Sequence, residues 1–154
     1  MRFLVIAAIV SISPAYAETF SSGAVGIGTS SNEPMPIADG HMVMRTSGSY
    51  EMFAVEPGHP LEGASGPCFG AVEIMGTEVS GGGNCVFDTA SGEKAVMAWE
   101  ATGLGADGAL TGNWSVSGGS GKWTSASGSG TFSSLTDPDT GKFANTITGD
   151  ITID

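Results

Sequence analysis

Residues 118–132 read GGSGKWTSASGSGTF, and no other stretch constrains the fold as tightly. The run is too rich in glycine for a helix, where each glycine costs ~1 kcal/mol relative to alanine. It is also too regular for a linker. Small residues fill nearly every position, and Trp123 and Phe132 stand out as single large apolar anchors. Such a pattern predicts a tight turn, then a strand that bends where glycine lets two backbones approach. A closed or strongly curved β-sheet follows from it; a particular chemistry does not.

The flanking chain alternates with period two, the mark of half-buried strands. Leu110, Gly112, Trp114 and Val116 fall on one face, against Thr111, Asn113 and Ser115. Phe143, Asn145, Ile147, Gly149, Ile151 and Ile153 repeat the pattern in the last strand, which residues 137–141 join by a turn to the strand through Phe132. Shorter strands are predicted at 42–46, at 49–55 with Tyr50, Met52 and Ala54 on one face, at 69–75, at 84–88 and at 93–101 with Trp99. Pro57 and Pro60 end one of them, and residues 88–92 form a hairpin loop with glycine near its end. No run at helical spacing interrupts this series. About eight short strands at even spacing predict an all-β, antiparallel fold, and closure into a barrel would remove the free edges. Residues 18–40, with Pro34 and Pro36, hold few core anchors and are expected to be extended or mobile, apart from a short strand at 24–27. The barrel domain is then expected over residues 41–154.

Residues 1–17 form a segment of a different kind. Arg2 precedes an almost wholly apolar run over residues 3–12, Pro14 breaks it, and Ala15-Tyr16-Ala17 has the small-x-small form of a signal-peptidase site. The run is about half the ~20 residues that span a bilayer. It predicts an export signal cut before Glu18 rather than membrane insertion, and a periplasmic or extracellular protein. The formal net charge is −11. Without Arg2, only Arg45, Lys94, Lys122 and Lys142 oppose the acidic side chains. A surface so poor in cations repels phosphate, which excludes nucleic acid as a partner. Cys68 and Cys85 are the chain's two cysteines. In an oxidising compartment they are expected to form a disulfide, stabilising by ~3 kcal/mol through loop closure.

Cys68-Phe69-Gly70, the run Gly81-Gly82-Gly83-Asn84-Cys85-Val86-Phe87-Asp88, and Gly92-Glu93-Lys94 resemble a set of small exported bacterial proteins. Gly119-Ser120-Gly121-Lys122-Trp123 and the strand from Ala126 to Phe132 are similar to the glycine-rich strand pair of the allene oxide cyclase and dirigent β-barrels. The resemblance implies an eight-stranded antiparallel barrel around a central apolar cavity. Plant members of that superfamily steer the cyclisation or coupling of reactive small molecules. No residue here matches their catalytic groups, so the likeness carries over at the level of fold.

Few residues are candidates for chemistry. Glu73 and Glu100 are the candidates for a catalytic carboxylate, since burial inside a barrel would raise the pKa of either. Glu100 alternates away from Met97 and Trp99, however, which places it toward solvent. Tyr50, Met52, Met97, Trp99 and Trp114, with Met44, are the candidates for an apolar ligand pocket, because rings and flexible methionines suit adaptable cavities. The same side chains could equally fill a barrel packed solid. Asp137-x-Asp139-x-Gly141 has the opening of a calcium loop, but position twelve is Thr148 where a bidentate Glu belongs. Gly119-Ser120-Gly121-Lys122 lacks the first glycine, the Ser or Thr, and the helix of a phosphate loop. No metal site and no cofactor are expected. The sequence favours an exported, non-catalytic barrel binding a small apolar ligand or another envelope component, with a cyclase- or isomerase-like enzyme and a structural or adhesion protein as alternatives. Nothing in it specifies an oligomer.

Overall fold

The computed structural model describes residues 17–154, and the export signal expected over residues 1–17 lies outside them except for Ala17. Eight strands follow one another: β1 (Glu18–Ala38), β2 (His41–Ala54), β3 (Gly66–Met75), β4 (Glu78–Asp88), β5 (Lys94–Leu104), β6 (Leu110–Gly119), β7 (Ser127–Thr136) and β8 (Lys142–Ile153). Each pairs antiparallel with the next, and β8 returns to β1 from Glu18 opposite Ile153 to Thr29 opposite Lys142. The sheet is thus a closed barrel in simple up-and-down order. One short 3-10 turn, Gly121–Thr124, interrupts the strands.

The interior rings explain the glycine content. Phe53 lies opposite Gly26, Tyr50 and Phe143 opposite Gly28, Trp99 opposite Gly83, and Phe132 opposite Gly112. A Cβ built on Gly112 would come within 2.7 Å of the Phe132 ring, and one on Gly26 within 2.5 Å of the Tyr50 ring. Each ring therefore lies flat over a neighbouring strand that has no side chain to hold it off, which lets large aromatics fit inside a narrow barrel.

At one end the barrel is plugged. Leu61 from the β2–β3 loop and Trp123 from the 3-10 turn are 2% and 0% exposed, and both join the buried core. Above them Tyr50, Phe53, Phe87 and Phe143 make an aromatic cluster with ring centroids 4.7–5.3 Å apart. Cys68 and Cys85 face each other across β3 and β4 and are disulfide-bonded, as fits an oxidising compartment.

At the other end the strands part. β4 pairs with β5 only from Gly82 onward, and β1 pairs with β8 only as far as Thr29. The distal halves of β1 to β4 rise as a tongue beyond the closed ring. Pro34 and Pro36 lie on that tongue, where β1 has a strand on one side only, the place a sheet tolerates proline.

Three expectations change. Residues 18–40 belong to the barrel sheet: 18–38 are its longest strand, 21 residues in all, and 39–40 are its turn into β2. The strands expected at 42–46 and 49–55 are one strand, running through Gly48. Met52 does not share a face with Tyr50, because the pairing shifts between Ile27 and Gly28 and inserts Glu51 as an extra residue on β2. The bulge turns Phe53 inward in its place and leaves Met52 outside, 50% exposed.

Candidate functional site

The barrel is not packed solid. A cavity of about 240 Å³ runs from the aromatic cluster to the hairpin end, where Leu104, half exposed, and Gly108 line its mouth. Tyr50, Met97, Trp99 and Trp114 all line it. Alternation carries each of them inward: β5 turns Ala95, Met97, Trp99 and Ala101 to one face, and β6 opposes Trp114 to Trp99. Met52 takes no part in it. Toward the mouth the wall is divided. Met44, Ile74 and Leu110 make one arc of it, and the short polar side chains of Ser30, Thr46, Ser134 and Thr136 another.

Neither carboxylate candidate reaches this space. Glu73 lies between Val72, fully buried, and Ile74, which lines the cavity, so its own side chain points outward. There it meets His41 Nε2 at 2.7 Å, in a half-exposed pair. Glu100 is exposed on the outer face of β5. Among the described residues no Asp, Glu, Lys, Arg or His lines the cavity.

Two of its polar side chains, Tyr50 and Asn145, are buried together. Asn145 lies in the otherwise apolar inward row of β8 and is 6% exposed. Its Nδ2 donates to the Tyr50 hydroxyl at 2.6 Å, across 95 positions of sequence. Burial pushes the Tyr50 phenol above its ordinary pKa, and the amide of Asn145 offsets part of that rise, so the phenol stays neutral. Asn145 Oδ1 has no hydrogen-bond partner among the described residues, and neither does Trp99 Nε1. Trp114 differs: its Nε1–H donates to the Thr148 carbonyl at 3.0 Å. Trp99 instead lies edge-on to Phe132, their centroids 6.4 Å apart.

Sequence reasoning did not place five of the lining side chains in the cavity, Phe53, Phe87, Phe132, Phe143 and Asn145, although Phe132 stood out as an anchor and Phe143 and Asn145 fell on one strand face. For Asn145 a signal was present, a lone amide in the row Phe143, Asn145, Ile147, where every other large residue is apolar. Its pairing with Tyr50 could not be read, because only barrel closure brings β8 and β1 together and so places β2 nearby.

The Asp137 loop is a turn. Asp137 accepts from the Thr140 hydroxyl and the Asp139 N–H, which hold its carboxyl below the usual range. No cluster of metal-ligating side chains occurs among the described residues. No protein-family model matches the chain, and no curated protein matches it in sequence.

Proposed function

We propose that this protein is an exported, non-catalytic barrel on the allene oxide cyclase and dirigent plan, which holds a small apolar ligand in its interior. One observation carries the reading. The barrel keeps a largely apolar cavity of about 240 Å³, open at the end where its strands part. The interior disulfide supports passage through an oxidising compartment, and the leader-like residues 1–17 supply a route there. The two glutamates that a cyclase was expected to use both lie outside the cavity, and the one ionisable group on its wall, the Tyr50 phenol, is held neutral beside Asn145.

The test uses N-phenyl-1-naphthylamine, an uncharged apolar dye that brightens on leaving water. The expected result is a saturable rise in its fluorescence at one dye per chain. Met97→Trp, which fills the cavity, should abolish the rise while circular dichroism still reports a folded sheet. A dye response that never saturates, or one that survives Met97→Trp, overturns the reading. Export is checked separately: the protein secreted by a host that makes it should have a mass starting at Glu18.

A further inference from the structure

The cavity wall also selects the chemistry of its occupant, a deduction that rests on the binding role proposed for the barrel. Two features bear on it. The first is the absence of any ionisable side chain except the Tyr50 phenol from the wall, among the described residues. A carboxylate or ammonium brought inside would lose its hydration with no opposite charge to meet it, a loss large enough to forbid binding of the charged form. The many acidic groups of the chain face outward and do not change this.

The second feature is the Tyr50–Asn145 pair. Asn145 Nδ2 donates to the Tyr50 oxygen, which leaves two functions unspent at one place. The Asn145 Oδ1 is an acceptor with no donor, and the Tyr50 hydroxyl proton has no acceptor among the described residues. Turned over, the amide would accept from Tyr50 and leave its NH₂ unspent instead, so in either orientation the pair cannot satisfy itself. A buried amide left so is costly, and folded proteins rarely keep one without a partner. A group that both donates and accepts completes both functions at once. A hydroxyl donates its proton to Asn145 Oδ1 and accepts the Tyr50 proton on its oxygen, closing a ring of three hydrogen bonds.

We infer that the ligand is an uncharged apolar alcohol, its hydroxyl held by Tyr50 and Asn145 and its hydrocarbon body lying against Met97, Trp99 and Trp114. Size narrows the class further. An engineered cavity of ~150 Å³ already admits benzene. The larger space here suits a cyclic alcohol of about ten carbons, one ring larger or more branched than that guest.

Displacement of the naphthylamine dye by matched probes tests this directly. The probes are menthol, its parent hydrocarbon p-menthane, and cyclohexaneacetate as the charged counterpart. Menthol is expected to displace the dye about tenfold more tightly than p-menthane, the ordinary effect of one buried hydrogen bond. Cyclohexaneacetate at neutral pH should be about a hundredfold weaker than menthol or worse. In Asn145→Leu the menthol to p-menthane ratio should fall to about twofold or less. If that variant fails to fold by circular dichroism, Tyr50→Phe makes the same test with the ring packing kept. Equal affinity for menthol and p-menthane in the unaltered protein overturns the inference. So does tight binding of cyclohexaneacetate, or a ratio that persists in a folded variant. In each of these cases the dye still binds, and the binding reading stands without this refinement. Failure of the dye itself removes both.

Discussion

The two ends of the barrel use the same strands for opposite purposes. The plugged end invests in contact: Leu61 and Trp123 close it, Tyr50, Phe53, Phe87 and Phe143 stack above them, and the disulfide ties β3 to β4 beside them. The hairpin end gives contact up. β4 leaves β5, β1 leaves β8, and methionine, leucine and small hydroxyl side chains leave a gap where rings would have filled it. A barrel this small can therefore be held rigid from one end while the other stays receptive. The difference teaches that stability and binding are separable here, and substitutions at the two ends can force them together or apart.

The largest expected effect is at the plug. Trp123→Ala removes a fully buried ring and should lower unfolding stability by about 3–5 kcal/mol in urea titrations. Leu104→Ala, at a half-exposed position of the mouth, should shift it by less than ~0.5 kcal/mol. Equal losses at the two ends would erase the distinction. Next comes the clamp. Cys68→Ser with Cys85→Ser should remove about 2–4 kcal/mol by freeing the unfolded chain, measured against the unaltered oxidised protein. Smaller again is Gly26→Ala, whose methyl would press on the Tyr50 ring; about 1–3 kcal/mol is expected from overpacking. That variant sharpens the comparison, because moving Tyr50 should also disturb its bond to Asn145 and weaken menthol relative to p-menthane.

The smallest effect is a dependence on pH that also belongs to the plugged end. His59 is buried beside Leu61, accepts the Leu61 N–H on Nδ1, and meets the Phe20 ring edge-on. Burial holds its pKa below the ordinary value of 6.5. Its neutral form is therefore the folded form. The stability it supports is complete above pH 6.5 and is lost as the pH falls from there through the lowered folded value. The urea midpoint should decline over that window, and His59→Asn, which keeps an acceptor for Leu61, should flatten the decline. A midpoint that rises on acidification in the unaltered protein would contradict the assignment.

How much of this was legible varies with the kind of residue. The rows of β6 and β8 could be read from alternation, because each has one face in the core and one in water. β1 could not, for a physical reason: its distal half has a neighbour on one side only, so it carries prolines and polar residues that read as loop. Alternation also misplaced Met52, since a one-residue bulge exchanges the two faces and leaves no mark in the sequence. The plug was harder still. Trp123 could be seen as an anchor, but Leu61 sits in a proline-bounded loop, and nothing local says that it folds back under a barrel. The cavity pair shows the limit most clearly: Tyr50 could be read as a pocket residue, but its pairing with Asn145 emerges only once the sheet closes on itself.

The tongue also governs how copies of the molecule treat one another. A proline nitrogen turned toward β2 would drive its ring into the neighbouring backbone, so Pro34 and Pro36 must turn theirs outward. The exposed margin of β1 thus lacks amide protons at two alternate sites and carries Glu33 paired with Arg45 beside them. An extended peptide arriving there finds a hem already stitched, and crowded molecules should slide past each other instead of knitting into fibrils.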